Sequence, residues 1–185
     1  NYQASSFDGL IGISILILIS FITNIFFSHN FFHNSLIIVS GLIFFCFDLK
    51  KNFSKRSQEL ILTISVFAII FIGVLMYKNH DDFYYYHFPY TVILTEFDKI
   101  FGLGNLNHGF RTPSSIFYLN SLFYLPYFKF YFFNAPNLLF LIFFILFSID
   151  YIFKKNSDII INFFTLFSLI FVIVKFSRLS EFGTD

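Results

Sequence analysis

The chain alternates long apolar runs with short polar links, and the runs are apolar on every side rather than striped. A bilayer core takes about 20 apolar residues per helical crossing. Five runs approach that length: Leu10–Phe27, Phe31–Phe47 (softened by His33 and Asn34), Leu60–Tyr77, Pro136–Phe153 and Ile159–Val174. The pattern predicts an all-α, polytopic helical membrane protein with five spans and one long loop, Lys78 to Asn134. There are no internal repeats and no soluble domain.

Within the loop the periodicity changes. Ile93, Phe97, Ile100 and Phe101 recur at helical spacing, with Thr91, Thr95, Glu96, Asp98 and Lys99 on the other side, which predicts a helix from Tyr90 to Phe101 ended by Gly102. Ser114–Phe133 is apolar enough to pass for a span, but Asn120, Pro126 and Lys129 interrupt it. It reads instead as a helix lying in the membrane interface, with Thr112 as N-cap, Pro113 at the first helical position and its Tyr and Phe side chains in the headgroup belt.

Composition supports the membrane reading. Hydrophobic residues make up 57% and charged ones 12%, about half the charge of a typical soluble domain, and mean hydropathy is +0.74. A formal charge of +1 without a dense basic cluster argues against a nucleic-acid partner. The single Cys46 lies inside an apolar run, so neither a disulfide framework nor a thiolate metal site is available. The abundance of Phe, Ile, Asn and Lys looks like coding bias, which leaves Phe as a generic lipid-facing residue. The start at Asn1 and the polar Ser-Glu-Phe-Gly-Thr-Asp end read as an interior piece of a larger membrane protein.

Lysine and arginine in short loops are retained in the cytoplasm. Lys50, Lys51, Lys55 and Arg56 place the Asp48–Glu59 link there, and Lys154 and Lys155 place the link after the fourth span there too. Both assignments hold if Lys78–Asn134 does not cross the membrane. The loop, the Ser28–Asn30 turn and the tail from Lys175 then face outward from a cytoplasmic (inner) membrane.

The loop holds most of the chemistry: eight of the eleven tyrosines and three of the five histidines lie in it. Asp81 and Asp82 stand at its start, followed by Tyr84–Tyr86 and Phe88, which press the pair toward the interface. Partial desolvation makes a carboxylate a better proton acceptor, so the pair is the candidate catalytic centre, with solvated loop acids as the plain alternative. His80 and His87 flank it, and Asp81, Asp82 and His80 are candidate ligands of a divalent cation, although no standard ligand spacing is matched. Gly102-Leu103-Gly104-Asn105 follows no strand and lacks the third glycine of a nucleotide fingerprint, so it reads as a sharp turn. Asn105, Asn107, His108 and Arg111 in or after that turn suit phosphate or sugar hydroxyls, with an interfacial anchor as the plain alternative for Arg111. His87 is a further substrate-binding candidate, and Glu181 and Asp185, on the same face by parity, are candidates to complete the site, with ordinary loop chemistry as the plain alternative. Asp150 pairs with Lys154 or snorkels, Asp158 suits a helix start, and His29 and His33 read as an ordinary turn.

The acidic pair, the amphipathic helix after it, the Gly/Asn turn and the proline-led Thr112-Pro113-Ser114-Ser115 together resemble the first part of a GT-C-fold polytopic membrane glycosyltransferase. The stretch from His80 to Asn120 and the Glu181–Asp185 tail are also similar to uncharacterised bacterial multi-span proteins with a Gly-Leu-Gly-Asn-Leu turn. The fold usually carries its acidic loop after the first span, so the first two spans here would be an N-terminal addition. The resemblance implies transfer of a sugar from a polyprenyl-phosphate donor to a glycan or lipid acceptor, with Asp81 or Asp82 as base and Arg111 and His108 on the leaving phosphate. The alternatives are a flippase, polymerase or transporter that uses the loop as a lid, and an assembly subunit whose loop docks a partner.

Overall fold

A computed structural model describes residues 3–75, 81–153 and 158–176. Among them it shows seven α-helices: α1 (Gln3–Asn24), α2 (Phe31–Lys51), α3 (Phe53–Leu75), α4 (Phe88–Glu96), α5 (Ser115–Leu122), α6 (Ala135–Ile152) and α7 (Ile159–Val174). The fold is all-helical. Three segments are long and apolar enough to cross a membrane, Ser6–Asn24, Phe31–Lys51 and Phe130–Ile152, while Leu60–Ile72 and Ile159–Val174 are apolar but shorter.

α6 is the hub. On one side Leu138, Leu141, Ile142 and Leu146 pack with Ile70 and Val66 of α3 and Val172 of α7. On the other, Leu139, Phe140 and Phe143 meet Ile13, Leu16 and Ile17 of α1 and Leu119 and Leu122 of α5. α1 is therefore part of the central packing rather than an appendage. α2 is the outlier: its only buried residue is Asn34, near its first turn.

The loop helices differ from the sequence expectation. α4 is Phe88–Glu96 with Pro89 in its first turn, and it ends at Phe97, five residues before Gly102. Proline fits there because its missing N–H would be unbonded anyway. α5 stops at Leu122, and its N-cap is Ser114, whose hydroxyl accepts from the Ile116 N–H at 3.5 Å; Pro113 thus precedes the cap and Thr112 does not serve as it. Nor does α5 lie on a surface: Phe117 to Leu122 are all buried. Asn120 is not a polar interruption but a tie, its amide nitrogen oriented to donate to the Ile116 and Phe133 carbonyls at 3.2 Å each. Beyond Pro126 the chain makes a tight turn, with Tyr127 at φ 70° and Lys129 at φ 46°. Such angles in non-glycine residues cost about 1–3 kcal/mol each and persist only where the surroundings impose them.

The turn between α1 and α2 is fastened to α5 and α4 by a buried polar network. His29, Asn34, Ser20, Asn24, Asn120 and Ser121 are all fully buried. Asn34 Nδ2 donates to the His29, Ser121 and Tyr124 carbonyls at 2.7, 2.8 and 3.0 Å. The Asn24 amide reaches the Leu94 and Phe97 carbonyls at 3.4 Å each, and the His29 backbone N–H donates to Leu94 O at 2.8 Å. His29 Nε2 lies 3.0 Å from the Ser20 carbonyl, which only accepts, so Nε2 carries the proton. In the neutral ring Nδ1 then shares the single proton of Ser121 Oγ with the Tyr118 carbonyl, to which that hydroxyl donates at 2.8 Å.

Burial, then the neighbouring His33, hold His29 down at about 3, against a smaller opposite pull from its bond to Ser20. The two rings stack at 5.1 Å. The unfolded chain therefore binds a proton near pH 6.5 that the folded chain refuses. The stability that follows is present above pH 6.5 and is lost toward pH 3, by about 1.4 kcal/mol per pH unit. Thermal unfolding of the solubilised chain is expected to show that slope, and His29→Gln to flatten it; equal slopes would place the titrating group elsewhere.

Candidate functional site

Asp82 precedes a single π-helical turn, Phe83–His87, and its backbone carbonyl accepts from the Tyr85 and Tyr86 N–H groups at 3.0 and 3.1 Å. Asp81 is exposed and Asp82 half-buried. The wider π turn lets five aromatic residues run directly into α4 without a break. His87 is fully buried, with its ring against Tyr86 at 4.1 Å and Phe117 at 5.2 Å. It therefore anchors the turn to α5 instead of standing open to a ligand.

The Gly/Asn turn closes onto this segment. Gly102 at φ 86° reverses the chain, and two short 3-10 turns follow, Leu103–Asn105 and His108–Phe110. Asn107 orders the second by accepting from Gly109 N–H at 2.9 Å, and its amide donates to the Tyr85 carbonyl at 3.1 Å. Gly109 lies so close to Tyr86 that a Cβ there would stand 2.4 Å from the ring. Arg111 Nε donates to the Gly104 carbonyl at 3.3 Å, pinching the ends of the turn together. Asn105, His108 and Arg111 are exposed. The structure thus joins the Asp81–Tyr86 segment to the Asn105–Arg111 turn as one unit.

Gly109→Ala is expected to cost about 1–3 kcal/mol by overpacking against Tyr86. The measurement is the melting temperature of the solubilised chain; an unchanged value would mean that the two segments separate readily.

Behind the turn lies an aromatic layer of Tyr90, Leu94, Phe110, Phe117 and Tyr118. The Tyr90 and Tyr118 hydroxyls are 2.9 Å apart, and Lys99 Nζ donates to Tyr118 at 2.8 Å while lying 5.4 Å from the Phe21 ring centre. Burial, reinforced by the Tyr118 hydrogen bond, pushes the Tyr90 phenol well above the usual tyrosine value. It stays protonated and serves as a structural hydroxyl.

Of the remaining sequence candidates, His80, Glu181 and Asp185 lie outside the described residues, as does Lys154. Asp150 accepts from Ser6 Oγ at 3.2 Å. No group of three or more His, Cys, Asp or Glu residues among the described residues stands close enough to hold a metal ion. Sequence reasoning passed over two features. One is the buried His29–Asn34 network, signalled by paired polar residues between apolar runs. The other is Lys129, a lone charge among Tyr127–Phe133, which borders a cavity of about 570 Å³.

A family model described as a domain of unknown function, DUF8201, matches residues 2–185. The chain belongs to the DUF8201 family. No curated protein and no solved structure matches the DUF8201 chain.

Proposed function

We propose that the chain is a multi-pass membrane glycosyltransferase that moves a sugar from a polyprenyl-phosphate donor to an acceptor at the outer face. In this reading all five apolar helices cross a cytoplasmic membrane, and the acidic pair faces outward. The observation that carries it is the Asn107–Tyr85 hydrogen bond, which holds the cationic turn beside the segment that starts with the carboxylates. In this reading the proton acceptor and the phosphate-binding groups stand on two neighbouring segments tied by that bond, and transfer draws on such positioning.

Asp82, with its neighbour Asp81, takes the proton of the acceptor hydroxyl as that oxygen attacks the anomeric carbon. The bond from that carbon to the donor phosphate breaks, and the phosphate leaves with the electron pair. Positive charge that builds on the sugar is stabilised by the carboxylates, and Arg111 and His108 offset charge on the departing phosphate. Membranes containing the complete reading frame would be supplied with radiolabelled sugar on a panel of polyprenyl-phosphate donors. Transfer that disappears in Asp81→Asn/Asp82→Asn supports the mechanism, and transfer retained in that variant sinks it.

A transport reading is favoured by one observation. At the end of the bundle opposite the loop, a cavity of about 740 Å³ among α1, α2, α3 and α6 is lined by Asp8, Asp48 and Asp150. Carboxylates facing a space between spans are a common feature of substrate pathways.

A further inference from the structure

The chain between α5 and α6 carries chemistry that the acidic pair does not use. Leu125 and Lys129 bridge a tight turn, and Lys129 holds a backbone angle that side chains rarely adopt, φ 46°. An ammonium group at a position suited to glycine is an expensive placement. Lys129 borders the 570 Å³ cavity, whose walls include Phe83, Phe88, Phe130 and Phe133. These rings interlock: Phe88 meets Phe130 edge-on at 5.4 Å, and Phe130 meets Phe133 at 5.6 Å. Among the described residues that line the cavity, Lys129 is the one charged group.

An aromatic slot with a single positive charge complements a molecule with an apolar chain and an anionic head. Its depth agrees. The apolar segment that starts at Phe130 is long enough to span a membrane, so its first residues lie at the level of lipid headgroups. A free anion would make no use of the ring walls, and a neutral lipid would make no use of the lysine. The volume lies within the usual range of ligand pockets, about 300–1,000 Å³.

We propose that this cavity holds the phosphate head of a phosphate-bearing lipid, with Lys129 Nζ paired to the phosphate and the Phe rings around the first carbons of the chain. The proposal deepens the transferase reading and rests on it for the placement of the loop beside lipid. Phe83 directly follows Asp82, so a phosphate held here stands next to the acidic pair in the chain.

The chain contains no tryptophan. Tyr131→Trp, on the cavity wall, therefore supplies a single fluorescent reporter in the full chain, in micelles of a maltoside detergent that carries no phosphate. The probes are farnesyl phosphate, farnesol and inorganic phosphate, and calorimetry on the Tyr131 chain repeats the titration without the reporter. Farnesyl phosphate is expected to bind, and Lys129→Gly, which keeps the backbone region and deletes the charge, to weaken it about tenfold. Lys129→Arg is expected to restore it, and farnesol to bind weakly and equally to all three chains. Equal farnesyl phosphate affinity in the Lys129→Gly chain would overturn the proposal, as would inorganic phosphate competing as well as the lipid. Binding through Lys129 without any sugar transfer would uphold this site and refute the transferase. Transfer with binding indifferent to Lys129 would do the reverse.

Discussion

Asp82→Asn is expected to lower sugar transfer about a thousandfold, within the range that a positioned general base contributes. The substitution keeps shape and a hydrogen-bonding oxygen, so protein level and melting should stay as they were. Asp82 is the larger effect because it is half-buried and adjoins the π turn, whereas Asp81 is exposed. A base must hold its position through the reaction, and an exposed neighbour can only assist. If the two act as a unit, the double variant should be little worse than Asp82→Asn alone, since groups that share one step are not additive. Initial rates with a saturating donor measure this. Asp82→Asn retaining a tenth or more of the activity would move the chemistry away from this pair.

The largest effect on stability is expected at Asn34. Its amide serves three backbone carbonyls in two parts of the chain, His29 before α2 and Ser121 and Tyr124 around the end of α5, and it is fully buried. Individual interhelical hydrogen bonds in membrane proteins average only about 0.6 kcal/mol. A carbonyl left buried and unbonded costs about 1–3 kcal/mol, and that figure governs for the His29 and Tyr124 carbonyls because Ala brings no donor, while the Ser121 carbonyl keeps the Tyr124 N–H at 3.1 Å. Asn34→Ala should therefore cost about 3 kcal/mol. Ser14→Ala, which removes an exposed hydroxyl bonded to its own helix at Leu10 O, should cost under about 0.5 kcal/mol. Unfolding of the solubilised chain by titration with denaturing detergent compares them. Equal costs would mean that solvent reaches the network.

The long helices were legible because lipid-compatible segments announce themselves by length and uniform hydropathy, and α2, α6 and α7 begin and end within about four residues of their apolar runs, while α1 starts well before its run, at Gln3. α3 extends further toward its start, from Phe53, because Ser54 to Glu59 are polar yet acceptable in a helix, and hydropathy does not see them. The loop was read less well. Ser114–Phe133 has one composition throughout, but Pro126 and the positive φ angles of Tyr127 and Lys129 divide it into a buried helix and a turn. Composition also hid the difference between a ring that stands open and one that meets protein: Phe117 is buried and Tyr127 almost fully exposed. In the candidate site, the pairing of the acidic segment with the Gly/Asn turn depends on contacts across some twenty residues, such as Asn107 to Tyr85. No local pattern carries such contacts. His29 was discounted for the same reason, since its ring partner Ser121 lies 92 residues away.

That separation also sets a timetable. The first two helices leave the ribosome long before Ser121 is made, because Asn34 and the Ser121 carbonyl it bonds lie 87 residues apart. At about 5–20 residues per second, the interval is roughly 4–17 s. Throughout it the nascent hairpin has the Ser20 carbonyl for its imidazole and the His29 carbonyl for its amide, but not yet Ser121 or Tyr124 for either. A ribosome pause within this window would lengthen the time that end of the hairpin waits for α5 to close over it.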